Sequence, residues 1–409
     1  MNGQGNGSNG WFPEFDRIAV VLSDIEMGAG GDVDDFPHSA FLGRLLTSYL
    51  EGPYADARID FVFNGDTFDL LKTQYAGGYP HHITEDVAMA KMSSVAAAHP
   101  AFFEAIREIL GHGSGNKRAH FVAGNHDMEV LFPGVQRLIR SLCGDLEHVR
   151  FPGFELGLGP VHIEHGSQSD PLFRVDPDKP FIEHKGKRYL NISWASIALL
   201  DVIIPLPDFL RLFDQLKPRT LVMNLVPEVK ELLMSMVWQY WTKDFWRDFL
   251  SLKDPILKVH WTMIKEIVKR FTTNNPRVSI DKTWLMETVE TNPHELFLSG
   301  HMHQPSSYYH DNKRIIQSGC FRDEFFILDE GRTFQPLLKE YYEIFLKSGR
   351  VVGVASRGVR GPDRPAEYFP ASIQDLTPRI HELLELLGDQ SEDHAERKKQ
   401  ELEEAAKGE

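Results

Sequence analysis

Short apolar runs that stop abruptly at Asp, Asn, Gly or His recur along the chain. Arg17 to Leu22 stops at Ser23-Asp24, Ile59 to Phe63 at Asn64-Gly65-Asp66, and Ala119 to Ala123 at Gly124-Asn125-His126-Asp127. Runs of this length predict strands covered on both faces, where every position meets apolar neighbours. Between them, Phe41 to Leu50 and the Ala/Met-rich stretch Asp86 to Leu110, interrupted at Pro100, predict helices. Further strands are expected at Phe154 to Leu158, Val161 to Ile163, Leu296 to Ser299, Arg314 to Gln317, Phe325 to Leu328 and Val351 to Val354, with a last helix over Ile373 to Leu387. Alternating strands and helices of this kind predict an α/β sandwich.

The pattern changes between Pro171 and Pro293, where helical periodicity dominates. Leu233, Val237, Trp241, Phe245 and Phe249 recur every four residues and mark one apolar helix face. The apolar run Ile192 to Leu206 contains Asp201 and Pro205 and is too short to span a membrane. The expected organisation is a lead-in over 1–14, a core over 15–170 and 294–388, a helical insertion over 171–293 acting as cap or lid, and a charged tail over 389–409. The aromatic residues Trp238, Tyr240, Trp241 and Trp246 are expected to pack, and His81-His82 to lie in an exposed loop.

Composition narrows the partners. Of 409 residues, 42% are hydrophobic and 25% charged, which suits a folded globular chain, and the formal net charge is −15. That balance argues against a binder of long nucleic acid, whose phosphates need basic surface. It leaves a phosphorylated small-molecule or lipid-linked substrate open, because bound cations can invert the local field. Membrane contact is expected to be peripheral at most. The two cysteines, Cys143 and Cys320, form no metal-finger spacing and no disulfide framework, and the first residues lack a secretory pattern. A reducing, cytoplasmic setting is the expectation, with both cysteines read as packing residues.

The chemistry concentrates at strand ends. Asp24-Ile25-Glu26, Asn64-Gly65-Asp66 with Asp69, and Gly124-Asn125-His126-Asp127 each follow a strand, and Glu164-His165-Gly166 and Gly300-His301-Met302-His303 add imidazoles. In an open α/β sheet such ends converge on one rim. Carboxylates and imidazoles suit manganese, iron or zinc. Two metals about 3.5–4 Å apart would hold a hydroxide for in-line attack on phosphorus.

Taken in order, these segments resemble the calcineurin-like metallophosphoesterases, whose pattern is D-x-H, G-D-x-x-D, G-N-H-D, H and G-H-x-H. The match runs from Arg17 to Gly319 and omits the insertion and tail. Asn64-Gly65-Asp66-Thr67-Phe68-Asp69 and His165-Gly166 further resemble the bacterial branch that includes UDP-2,3-diacylglucosamine pyrophosphohydrolase. The resemblance implies a four-layer α-β-β-α metallophosphoesterase sandwich and a metal-dependent hydrolase acting on a phosphate ester or pyrophosphate bond. It implies one divalent ion on Asp24, the residue at 26, Asp66 and His303, and another on Asp66, Asn125, His165 and His301. His126 would steady the phosphate or protonate the leaving oxygen, oriented by Asp127, while Asp69 would hold a ligand in place. Glu26 stands where the family pattern has histidine. A third carboxylate lowers the formal charge of the pair and favours manganese. The alternative to an enzyme is a metallophosphoesterase-fold binding scaffold without catalysis.

Overall fold

The computed structural model describes residues 13–31, 33–112, 115–144, 147–200, 211–239 and 282–385. Residues 1–12 of the lead-in expected over 1–14, the charged tail, Trp241, Phe245 and Phe249 of the apolar stripe, and Tyr240 and Trp246 fall outside these residues, as does the side chain of Trp238.

In chain order the first half runs β1 (Arg17–Leu22), α1 (Ser39–Thr47), β2 (Arg58–Asn64), α2 (Glu85–Ala98), α3 (Pro100–Gly111), β3 (Lys117–Val122), α4 (Pro133–Cys143), β4 (Val149–Gly153), β5 (Glu155–Leu158) and β6 (Val161–Glu164). Pro100 splits α2 from α3 because proline fits the first turn of a helix but not its interior. A hairpin, β7 (Phe181–His184) with β8 (Lys187–Leu190), follows. Then come α5 (Trp194–Ala198), α6 (Arg211–Gln215), β9 (Leu216–Lys217), α7 (Arg219–Leu225), α8 (Pro227–Gln239) and α9 (Lys282–Thr291). Then follow β10 (Leu296–Ser299), β11 (Ser306–His310), β12 (Lys313–Gln317), β13 (Phe325–Leu328), β14 (Thr333–Pro336), β15 (Lys339–Lys347) and β16 (Arg350–Val359), with helical residues over 377–385 where the last helix was expected.

Two sheets face each other. The first has the order β16-β15-β1-β2-β3-β4, and the second β11-β12-β10-β6-β5. β1, β2 and β3 run parallel, as do β6, β10 and β12, so each sheet sends its strand ends to the same rim. Ala19, Val21, Val62 and Val122 of the first sheet meet Leu156, Val161, Ile163, Leu296 and Leu298 of the second in a dry inter-sheet core. The other face of the first sheet, with Ile18, Val20, Phe61, Phe63 and Phe121, buries itself under α1 to α4. Val289 of α9 packs on Phe297 and Ile315 of the second sheet. Helix, sheet, sheet and helix stack in four layers, the architecture that period-2 burial on both faces requires.

Most elements fall where the hydrophobic pattern places them. The long strand β15 was not expected. Its charged ends, Lys339 and Lys347, frame a stretch of apolar residues interrupted by Glu340 and Glu343 that pairs antiparallel with β1. Inside the segment read as helical, β7 and β8 form a hairpin, and β9 pairs with β13 in a small sheet. Leu212, Leu216, Val222 and Val226 from that segment share a satellite core with Phe325, Ile327 and Ile373. Among the described residues no helix is long and apolar enough to cross a membrane.

Candidate metal centre

The loops after β1, β2, β3, β6 and β10 converge on the shared rim, carrying the residues singled out from the sequence. Backbone bonds lock them together. Asp24 N–H donates to Gly65 O at 3.2 Å and Glu26 N–H to Asp66 O at 2.8 Å, and Arg322 N–H reaches Asp24 O at 2.9 Å. Close approach is enforced by missing side chains. A Cβ at Gly124 would sit 2.1 Å from Asp66 Oδ1, and one at Gly65, where φ is +74°, would strike the His165 ring at 2.5 Å.

Five of the seven expected ligands adopt left-handed backbone: Asp24 (φ 54°), Glu26 (54°), Asp66 (48°), His301 (71°) and His303 (52°). Each such residue costs of order 1–3 kcal/mol, and this strain persists only where the surroundings over-determine it. Its concentration at one rim marks a site built for something other than stability.

The imidazoles are aimed. His165 Nδ1 lies 3.1 Å from the Asn64 carbonyl, so that nitrogen must donate. Its Nε2 then faces only acceptors: Asp66 Oδ2 at 3.1 Å, Asn125 Oδ1 at 3.1 Å and Asp24 Oδ1 at 4.0 Å. Burial pulls the His165 pKa down, but Asp66 and then Asp24 outweigh it and lift it to about 10. His303 repeats the plan. Nδ1 is held by Glu324 Oε1 at 3.0 Å, and Nε2 faces Asp24 Oδ1 at 3.2 Å and Glu26 Oε1 at 3.6 Å. Anchoring one ring nitrogen outward to aim the other inward is how metal-binding histidines are oriented. Asp66, His165 and His301 bring ligand atoms within 4.8 Å of one another. His301 also packs edge-on against His165, ring centroids 5.3 Å apart.

These residues fit divalent cations. Buried acceptors converge on the inward imidazole nitrogens, an arrangement that calls for positive charge between them, which a second ring proton supplies in the metal-free chain and a divalent cation would supply in its place. The fit is tightest at Asp66, Asn125, His165 and His301. Around Glu26 the setting differs. Its Oε2 is already held by Lys72 Nζ at 2.9 Å and Arg322 Nη1 at 3.0 Å, leaving Oε1 toward His303. Burial favours the neutral acid, yet Arg322 and then Lys72 hold the Glu26 carboxyl well below the usual range. Lys72 also meets Asp35 at 2.5 Å and Asp69 at 2.9 Å, and Arg322 meets Asp214 at 2.8 Å and Glu324 at 3.2 Å.

One expected pairing is corrected. His126 was expected to lean on Asp127, but its Nδ1 meets Asp69 Oδ1 at 3.0 Å. Asp127 instead accepts backbone N–H bonds from Gly124 at 2.7 Å, Thr67 at 2.8 Å, Asp66 at 3.2 Å and Phe68 at 3.3 Å. One local amide, Gly124, and three from the loop after β2 hold the carboxylate away from the neighbouring ring. Burial lowers the His126 pKa, while Asp66 and Asp69 raise it further, to about 9.

Lys72, Arg322, Asp35 and Glu324 were missed by the sequence reading. Lys72 lies three residues beyond Asp69, a spacing that is visible but not distinctive. Arg322 arrives from a segment with no motif at all. Cys320 is buried as expected, with its sulfur beside His303 and Glu324, and burial followed by Glu324 raises its thiol pKa. His82 is exposed, with its ring against Tyr189.

No protein-family model matches the chain, and no curated protein does. Solved structures that resemble it distantly include the following three. A dimetal phosphatase from Danio rerio matches at TM-score 0.34 and 11% identity, over 84% of this chain and 97% of that one. Wild-type Vps29 complexed with zinc, from Entamoeba histolytica, matches at 0.25 and 10%, over 84% and 98%. A phosphopantetheinyl hydrolase from Mycobacterium tuberculosis matches at 0.26 and 11%, over 75% and 90%. Likeness this distant leaves the reading of the rim to its own geometry.

Proposed function

We propose that this protein is a metal-dependent hydrolase that cleaves a phosphate ester or phosphoanhydride bond at the rim, as calcineurin-like metallophosphoesterases do. The observation that carries the reading is the aimed pair His165 and His303, whose inward nitrogens face Asn125 and, on left-handed backbone, Asp24 and Asp66. Asp66 would lie between two ions, with Asn125, His165 and His301 holding one and Asp24, Glu26 and His303 the other. Divalent cations held there would supply charge to polarise phosphoryl oxygens and to acidify water.

The chain's own groups do the rest. Lys72 and Arg322 hold Glu26 through Oε2 and offset part of its charge, so that Oε1 would be left to serve as a ligand. A carboxylate compensated in this way stands in for the neutral imidazole of the family pattern. The oxygen-rich donor set favours manganese. His126, held through Nδ1 by Asp69, is the donor for the leaving oxygen. The substrate class proposed is a phosphorylated small molecule.

The test is turnover of bis-p-nitrophenyl phosphate and p-nitrophenyl phosphate by metal-stripped protein given manganese, zinc, magnesium or none. Metal-dependent turnover that Asp66→Ala removes supports the hydrolase. No turnover with any metal, together with no bound metal, moves the reading to a scaffold that keeps the fold without the chemistry.

A further inference from the structure

The other end of the same sandwich has the opposite character. At the starts of the strands, away from the rim, a cleft of about 580 Å³ is walled by Arg17, Arg58, Arg118, Arg140, Arg150 and His120. Leu156 and Leu158 of the second sheet close its far side. The placement follows from strand register. Arg17 shares a face with Ala19 and Val21, Arg58 with Val62, and Arg118 and His120 with Val122, all apolar members of the inter-sheet core. Where that core ends, arginines continue it. Arg17 lies beside Arg58 across β1 and β2, and Arg150 beside His120 across β3 and β4.

Like charges on adjacent strands repel. Among the described residues only Arg17 of these arginines has a carboxylate, since Asp60 takes both its Nε, at 2.5 Å, and His120 Nε2, at 2.8 Å. Arg140 bonds the Val149 carbonyl and covers the Phe151 ring. Among the described residues no carboxylate pairs with Arg58, Arg118, Arg140 or Arg150. In a chain of net charge −15 that has 59 acidic side chains to spend, four uncompensated arginines around one cleft are not a chance of composition.

We propose that this cleft is a binding site for a small anion carrying two or more phosphoryl groups. Guanidinium forks bond phosphoryl oxygens two at a time and keep their charge at any working pH. Several of them converging call for more than one anionic group. The cleft's volume lies in the range of small-ligand sites, about 300–1,000 Å³. The site is separate from the metal centre and does not depend on how that centre is read.

The test is calorimetric titration of the full chain with sodium tripolyphosphate in EDTA at low salt, with ATP as a second arm. The arginine variant is Arg58→Ala/Arg150→Ala, both exposed positions, with folding checked by circular dichroism. Expected is saturable binding that weakens with salt, falls at least tenfold in the arginine variant, and is unchanged in Asp66→Ala. Equal binding of both ligands assigns recognition to the phosphoryl chain, and tighter ATP adds the nucleoside; both support the site. Binding that survives in the arginine variant, or is lost in Asp66→Ala, overturns it, as does no binding by the parent chain.

Discussion

The two ends of the inter-sheet core use the same strands to opposite effect. At the carboxyl ends, acidic groups gather and are matched by internal cations: Glu26 by Lys72 and Arg322, Glu324 by Arg322 and Lys217. At the amino ends, arginines gather and are mostly left unmatched. Acidic clusters buried at strand ends need positive charge from somewhere, and this chain supplies part of it and leaves His165 and His303 facing the remainder. The contrast teaches that charge balance is set locally. A net charge of −15 predicts neither end.

The largest effect is expected from breaking the acidic end alone. Asp66→Ala removes the carboxylate that faces the inward nitrogen of His165, and turnover of a generic phosphodiester should fall by more than about 100-fold, since even outer partners of a metal ligand cost about 10–100-fold. Steady-state kinetics at saturating manganese measures it. His126→Ala should lower kcat by about 100-fold with bound metal unchanged, and Asp69→Asn should reproduce part of that loss, as expected of a general acid and the residue that holds it. Equal metal loss in His126→Ala would make the histidine a ligand instead.

Next in size is the internal compensation. Lys72→Met leaves Asp35, Asp69 and Glu26 sharing one fewer cation and should cost about 3 kcal/mol of stability, the scale of a broken buried ion pair. Denaturant unfolding reads it. Glu26→His in the same chain should return part of that loss, because a neutral ring there no longer needs the ammonium. Strict additivity of the two substitutions would show that Lys72 and Glu26 do not act as a unit.

Much of this was legible beforehand. β1, β2, β3, β6 and β10 were visible because strands buried on both faces read as uninterrupted apolar runs, and the rim residues were visible because each follows such a run. β15 was not, since Glu340 and Glu343 interrupt its pattern, and those glutamates make sense only after Tyr342, Tyr49 and Arg357 fold against them. Lys72 and Arg322 escaped for the same reason. Their meaning lies in contacts with Glu26 that span 46 and 296 residues of chain. Asp127 misled because sequence adjacency to His126 looked like partnership, whereas a turn directs the two side chains apart. The arginine cleft is invisible in composition and obvious only in register.

The smallest effect belongs to the basic end. Asp60 is buried, and burial raises its pKa, but His120 and then Arg17 bring the carboxyl down to about 2. A depressed carboxylate contributes stability above its unfolded value, about 3.9, that is lost as pH falls through the folded one. Asp60→Asn should therefore cost about 2 kcal/mol near neutral pH, with the gap to the parent closing between about pH 4 and pH 2. Urea midpoints against pH check it, and a gap that persists unchanged at pH 2 would mean that Asp60 acts by shape alone.

The most direct test of the account is the count of manganese ions bound per chain, by equilibrium dialysis and elemental analysis, in the parent, Glu26→Ala and Asp66→Ala. The geometry predicts two ions in the parent, one in Glu26→Ala, where Asn125, His165 and His301 still face Asp66, and at most a weak remnant in Asp66→Ala. A parent chain that binds no metal, or an Asp66→Ala chain that binds as many ions as the parent, would contradict it.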